Sequence, residues 1–284
     1  MKQTNLPHSA AVPDDVLFRS LPKADCPICC LPLPTLYTGK AYKSCCGQEL
    51  CKGCLYSAIS ANRETMEERV SRQMMSKLMK CPFCRAPPPR NGREMMERIE
   101  KRAGMDDPLA IHNLACAYDG GDCGLPRNPA KALQLWSRAG ELGSANSYYN
   151  LGQAYLDNAD DEGPGDTPAG AFIVDGGVVR KDQRKAQHYY ELAASKGHVF
   201  ARHNLGCIEE ELGHVDRALK HYKIAAEAGD RDALDTIRRL YARGGATKSD
   251  YAEALRAYQA ATDEIRSAQR DAVAAWRREH RYLE

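Results

Sequence analysis

From residue 107 onward the chain repeats one pattern of small, apolar and aromatic positions. Asn113-Leu114-Ala115, Asn150-Leu151-Gly152 and Asn204-Leu205-Gly206 are copies of a single element, and Ile237 centres a fainter fourth. Four residues before each apolar centre stands a small one: Ala110, Ser147, Ala201 and Ala233. Four residues after it stands Tyr118, Tyr155 or Tyr241, with Glu209 as the exception. Steps of four keep side chains on one helical face, so each copy predicts an amphipathic helix. A second element follows each first. Ala132, Ala186, Ala218 and Ala254 are followed four residues on by Trp136, Tyr190, Tyr222 and Tyr258, and three further by Ala139, Ala193, Ala225 and Ala261. Gly143, Gly197 and Gly229 then stand where a helix ends on a left-handed residue. Small residues around one large ring let two helices approach closely, which predicts a helical hairpin used four times. Self-similarity at this spacing means a solenoid, each unit burying its face on the next.

The pattern also predicts how the array begins and ends. Pro108 directly after Asp107 makes a helix start. The fourth copy has Ile265 in place of the terminal glycine, so its second helix is expected to run on to Glu284. Arg266, Arg270, Asp271, Arg277, Arg278 and Glu279 suit it as a polar end cap. Between Leu156 and Lys185 the second copy carries an insertion, with Asp157, Asp160, Asp161 and Glu162 leading into Gly163-Pro164-Gly165-Asp166. These acids lack the spacing of a calcium loop and predict a flexible acidic surface loop. Upstream, Met66, Val70, Met74 and Leu78 predict a helix over 62–80, and a charged helix is expected over 93–103. Ala86-Pro87-Pro88-Pro89 reads as a stiff extended spacer. Residues 1–24 are expected to be a disordered leader, without the apolar core of a secretory signal.

Bulk composition narrows the function classes. The formal net charge of the 284 residues is +2, which gives no field for nucleic acid. No run of eighteen or more apolar residues predicts a membrane span. Neither a phosphate-binding glycine loop with Lys-Ser/Thr nor a His-Glu-x-x-His helix is present. His112, His188, His203 and His221 sit within predicted helices as surface or packing residues, and Cys116 and Cys207 as core.

The chemistry concentrates in residues 25–85, which hold nine of the twelve cysteines and no histidine. They arrive as Cys26-x-x-Cys29, Cys45-Cys46, Cys51-x-x-Cys54 and Cys81-x-x-Cys84, with Cys30 left over. A Cys-x-x-Cys pair on a tight turn lets two thiolates reach one tetrahedral zinc, and such pairs fill sites sequentially or in an interleaved way. Twelve cysteines without a signal peptide point to a reducing compartment, cytosol or nucleus.

Two resemblances add to this. Pro27-Ile28 between the first ligands, and Cys81-Pro82-Phe83-Cys84-Arg85 at the end, resemble the RING domain of ubiquitin ligases. That resemblance implies two zinc ions with interleaved ligands: Cys26, Cys29, Cys51 and Cys54 on one, and Cys81 and Cys84 plus two ligands from residues 44–48 on the other. In an all-cysteine subclass the latter two are Cys45 and Cys46; the usual register would use Cys46 and Gln48. It further implies that Ile28 and Pro82 line a groove for a ubiquitin-conjugating enzyme. Arg85 stands at the linchpin position, where a guanidinium fork holds ubiquitin against that enzyme. The alanine–aromatic–alanine–glycine series and the Leu-Gly of the first helix resemble Sel-one-like repeats, relatives of the tetratricopeptide repeats, over 107–265.

The expected fold is mainly α, a small zinc-bound RING module followed by an α-solenoid of about four helical hairpins. The expected divisions are a leader (1–24), the RING-type module (25–86), a linker and connecting helix (87–106), the repeats (107–265) and a capping helix (266–284). The function implied is a RING-type ubiquitin ligase whose partners are a ubiquitin-conjugating enzyme, ubiquitin and a protein substrate held on the repeats. A non-enzymatic zinc-binding scaffold is the alternative. No nucleic acid or membrane partner is expected.

Overall fold

The computed structural model describes residues 11–21, 23–34, 39–60, 80–156, 172–174, 177–179 and 182–279. The predicted helix over 62–80 lies outside these residues for all but Lys80, as do the acidic residues of the insertion. In chain order the elements are α1 (Asp14–Leu17), β1 (Lys40–Tyr42), β2 (Glu49–Cys51), α2 (Lys52–Ser60), α3 (Gly92–Ala103), α4 (Pro108–Gly120), α5 (Pro129–Glu141) and α6 (Ala145–Leu156). Then come β3 (Phe172–Val174), β4 (Gly177–Val179), α7 (Gln183–Ser195), α8 (Val199–Glu211), α9 (Val215–Glu227), α10 (Arg231–Ala242), α11 (Lys248–Glu264) and α12 (Ala268–Glu279). The molecule is mainly helical. Helices α4 to α11 form four hairpins in series, α4/α5, α6/α7, α8/α9 and α10/α11, and a small cysteine-rich module precedes them.

Local signals set the helix ends. The Asp107 carboxylate accepts from the Leu109 and Ala110 N–H groups, with Pro108 in the first turn. Asn128 and Asp182 cap α5 and α7 by accepting from N–H groups three residues on. Thr247 and Asp250 form a reciprocal capping box on α11. Gly143, Gly197 and Gly229 have φ of 106°, 93° and 89°, the left-handed conformation expected where the second helices stop.

The core of the array is ring against small residue. Tyr190 and Tyr222 are fully buried, and Trp136 nearly so. The glycine of the recurring Leu-Gly has a steric cause. A Cβ on Gly152 would lie 2.5 Å from Cε1 of Tyr190, and one on Gly206 would lie 2.5 Å from Cε1 of Tyr222. Ala110, Ala132, Ala186, Ala201, Ala218 and Ala225 are all fully buried around these rings. Glu209, the exception to the tyrosine pattern, is buried at 4% exposure and held by Arg217 Nε at 2.9 Å and His214 Nδ1 at 2.8 Å.

Three expectations are corrected. Residues 11–21 of the leader are ordered. Leu17 is 1% exposed, and buried Arg202 donates to the carbonyls of Leu17, Arg19 and Ala194 while Arg217 pairs with Asp14. The N-terminal segment is therefore strapped across α7 to α9, its carbonyls satisfying part of the buried Arg202 guanidinium. The connecting helix α3 is part of the array, since Met96, Ile99 and Ala103 bury in the same core as Ile111 and Trp136. The fourth unit's second helix does not run on. It stops at Glu264, and α12 starts anew with Ser267 accepting from the Arg270 N–H. Toward its C-terminal end the insertion forms an antiparallel hairpin, β3 with β4; the acidic residues on which the loop expectation rests lie outside the described residues.

Candidate metal centre

The cysteine module has one small hairpin, β1 with β2 in antiparallel register, running into α2. Among the described residues its apolar core is thin: Leu33 and Leu50, with Ala41, Leu55 and Phe83 packed at the edge, and Cys26, Cys51 and Cys54 as the remaining buried members. The rest of the module is organised by two copies of one turn. Cys26 N–H donates to Leu31 O and Cys30 N–H to Cys26 O, both at 2.9 Å. Cys81 N–H donates to Ala86 O at 2.8 Å and Arg85 N–H to Cys81 O at 2.9 Å. The residue after each pair is left-handed, Cys30 at φ 54° and Arg85 at φ 58°. Such a turn holds both sulfurs of a Cys-x-x-Cys pair on the same side.

These turns bring eight sulfurs into two groups. Cys26, Cys29, Cys51 and Cys54 form one and Cys45, Cys46, Cys81 and Cys84 the other, and within each group the sulfurs lie within 4.8 Å of one another. The first pair thus meets the third, and Cys45-Cys46 meets the last, an interleaved arrangement. Cys29 and Cys51 sulfurs are 3.9 Å apart and Cys46 and Cys81 sulfurs 3.7 Å. These separations are far too long for a disulfide. A tetrahedral ion with zinc–sulfur bonds of about 2.3 Å sets its sulfurs about 3.8 Å apart. Each group can hold a metal ion.

The electrostatics fit a cation. Burial raises the Cys26 thiol, but the N–H groups of Cys51, Cys29 and Ile28 aimed at its sulfur outweigh that and bring it down to about 6. Cys81 comes down to about 7 in the same way, against burial, through the N–H groups of Cys84 and Phe83. Cys45 and Cys54 move up, first by burial and then by the thiols crowded around them. Four thiolates this close repel one another unless a cation shares the site. The Cys51 and Cys54 N–H groups donate to Cys26 and Cys51 sulfurs at 3.4 and 3.3 Å, the outer-shell pattern that orients sulfur ligands.

Gln48 is exposed, and Cys30, also exposed, stands outside both groups. Ile28 is 42% exposed, and Pro82 and Arg85 are exposed at the second turn. One participant was invisible in the sequence. Helix α12 packs on α2, and a Cβ on Gly53 would lie 2.8 Å from Arg270 Cγ. That places the Arg270 guanidinium 3.8 Å from the Cys29 sulfur while it also donates to Ile265 O. No local signal marks Arg270; a glycine in the first turn of α2 was the only hint of close approach. At the other end the module is tied to the array by Tyr42, whose hydroxyl donates to Asp107 at 2.9 Å, with Arg102 Nε on the same carboxylate at 2.6 Å.

The Sel1 repeat family model matches residues 108–144, 170–198 and 201–230, which are α4/α5, the β3 to α7 stretch and α8/α9. These three stretches resemble Sel1 repeats. The match leaves the cysteine module uncovered. Among solved structures the chain is similar to a Sel1 repeat protein from Oxalobacter formigenes, at 28% identity over 60% of this chain and 64% of that one, with a TM-score of 0.47. It is also similar to c5321, a protective antigen of uropathogenic Escherichia coli strains displaying an SLR fold, at 20% identity over 63% and 35% of the two chains, TM-score 0.45. A third is the immunity protein Pa5087 from Pseudomonas aeruginosa, at 19% identity over 77% and 82%, TM-score 0.31. The chain thus spans less than two thirds of the length of the first two. No helix among the described residues is long and apolar enough to cross a membrane.

Proposed function

We infer that both tetracysteine groups hold zinc and that the module they build, residues 25–86, is a RING-type ubiquitin ligase. In this reading the Sel1 repeats over 107–265 recruit the protein substrate. The observation that carries it is the interleaving: the first pair with the third, and Cys45-Cys46 with the last. Cysteine turns that merely packed would have no reason to cross in this way. Zinc here would support the fold beside the two buried leucines, Leu33 and Leu50, of the described residues. Ile28 and Pro82 then offer an exposed apolar ledge to a ubiquitin-conjugating enzyme. Arg85, exposed and next to the last sulfur, reaches carbonyls of that enzyme and of ubiquitin together. The chain supplies positioning, and the attacking lysine belongs to the substrate.

Purified chain incubated with activating enzyme, ATP, ubiquitin and a panel of conjugating enzymes is expected to build ubiquitin chains, and Arg85→Ala to build far fewer. No chains with any enzyme of the panel would sink the ligase reading. Zinc per chain by atomic emission is expected near two, and a value near one rejects the second site. One observation favours the alternative, a zinc-bound scaffold. Helix α2 already packs on the chain's own α12, and the module is anchored to the array through Tyr42 and Asp107. A chain with two zincs and no ligase activity would be that scaffold.

A further inference from the structure

The first and third Sel1 repeats carry the same pentapeptide frame on their first helices, His112-Asn-Leu-Ala-Cys116 on α4 and His203-Asn-Leu-Gly-Cys207 on α8. Histidine and cysteine four apart share a face, and in α4 the Cys116 sulfur lies 3.6 Å from His112 Nε2. What differs is the residue across from the other ring nitrogen. His112 Nδ1 meets the Ser147 hydroxyl at 3.0 Å, which Ser144 at the start of α6 bonds in turn. His203 Nδ1 meets the Asp230 carboxylate at 3.2 Å, and Asp230 is the cap of α10, at the same place in its repeat as Ser144. The Asp230 side chain is only 4% exposed, so its charge is little screened.

Two exchanges, Ser144 to Asp230 and Ser147 to Ala233, accompany opposite chemistry. Burial alone pushes His112 down to about 4, and burial raises the Cys116 thiol. In α8 the hydrogen bond to Asp230, then that to Cys207, raise His203 to about 9, and the bond from His203 draws Cys207 down. In the third repeat the imidazole is thus raised and the thiol lowered, where in the first the imidazole is lowered and the thiol raised. Tyr222 adds its hydroxyl, 3.4 Å from the Cys207 sulfur.

Cys207 opens onto a groove of about 720 Å³ lined also by Glu210, Glu211, Thr236, Arg239 and Arg243, with Tyr222 at its floor. We propose that Cys207, His203 and Asp230 form a thiolate site that exchanges with low-molecular-weight disulfides in this groove. Acyl transfer is the poorer use of such a triad. Cys207 sits inside α8, where backbone N–H groups are spent within the helix and none is left to bind a tetrahedral oxyanion. Disulfide exchange needs no such hole. The thiolate attacks one sulfur, a Cys207–S bond forms as the S–S bond breaks, and the second sulfur leaves as a thiolate that takes a proton from water. No further oxidant is required. The groove carries both charge signs, Arg239 and Arg243 from α10 and Glu210 and Glu211 from α8, with Arg243 and Glu210 paired at 2.8 Å. That suits a disulfide bearing both ammonium and carboxylate ends, and oxidised glutathione is the probe of that class.

The test uses the full chain with zinc in the buffer and peptide-resolved mass spectrometry, so every cysteine is read separately and the zinc ligands do not enter. Labelling with iodoacetamide across pH 5–9 is expected to give Cys207 a midpoint below the ordinary thiol value of about 8.5. Cys116 is expected to stay unlabelled in the folded chain. Asp230→Asn keeps a capping side chain, and is expected to raise the Cys207 midpoint and slow its labelling at pH 7 about tenfold. His203→Gln should give the same loss by a second route. Oxidised glutathione is expected to leave one glutathionyl group on Cys207, and less on either variant. An ordinary midpoint for Cys207, a profile unmoved by both variants, or no glutathionyl adduct at Cys207 each overturns the proposal. None of these readouts depends on ubiquitin transfer.

Discussion

The cysteine module and the repeat array solve the same problem by opposite means. The array has enough apolar surface to close on itself, ring by ring, with Trp136, Tyr190 and Tyr222 seated among alanines and glycines. Among its described residues the module has two buried leucines, and it gathers eight sulfurs. One region stores its stability in packing, the other in a bound ion. Treatments that remove one kind of support should leave the other region standing, although the two touch through Tyr42, Arg102 and Asp107 and through α12 packed on α2.

Chelation gives the largest expected effect. Structural zinc contributes roughly 10–16 kcal/mol in apparent terms to small cysteine modules. Treatment with a strong chelator is expected to open residues 23–60 and 80–86 to amide hydrogen exchange while α4 to α11 stay protected. Simultaneous loss of protection in both regions would mean that the array leans on the module far more than three hydrogen-bonded residues suggest.

Tyr222→Ala reverses the comparison. Emptying a fully buried ring site costs about 3–5 kcal/mol by analogy with other aromatic truncations. Denaturant unfolding of the array should shift by that amount, with zinc per chain unchanged. This half of the molecule was the more legible from sequence, because what decides it is local. Steps of four fix the buried face, Asp107-Pro108 fixes a start, and Gly143, Gly197 and Gly229 fix stops. The module's pairing was legible only through resemblance, since spacing alone allowed sequential or interleaved filling. What escaped in both regions depends on residues far apart in the chain. Arg202 and the Leu17 carbonyl are 185 positions apart, and Arg270 and Cys29 are 241. The two His-Cys pairs were in plain view, but the charge that separates them sits at Asp230, beyond the next helix.

Titration should show the array alone responding through buried imidazoles. Burial holds His112 and His221 down to about 4. Their neutral rings belong to the native state, so each contributes stability fully present above about 6.5 and lost as pH falls toward 4. His203, raised to about 9 first by Asp230, works the other way. Its contribution is fully present below about 6.5 and lost as pH rises through 9. Each is of the order of 2 kcal/mol. Urea midpoints measured across this range should fall on both sides, and His221→Leu should remove part of the acid limb only. An unchanged acid limb would show that His221 finds a partner despite the two unsatisfied ring nitrogens it has here.

The smallest effect on stability carries the sharpest functional contrast. Cys30 and Arg85 occupy the same left-handed position in the module's two turns, at φ 54° and 58°. Glycine there removes about 1 kcal/mol of left-handed strain and costs a comparable amount in unfolded-chain entropy. Cys30→Gly and Arg85→Gly should therefore both leave stability within about 1 kcal/mol of the parent, and zinc content should not move. Their activities should part. If Arg85 is the linchpin, Arg85→Gly loses ubiquitin chain formation while Cys30→Gly keeps it. Equal activity of the two variants would reduce Arg85 to a turn residue with a solvated charge. Both substitutions put glycine at the left-handed position of a cysteine turn, so with zinc content and stability unchanged a loss of activity in Arg85→Gly alone points to the guanidinium.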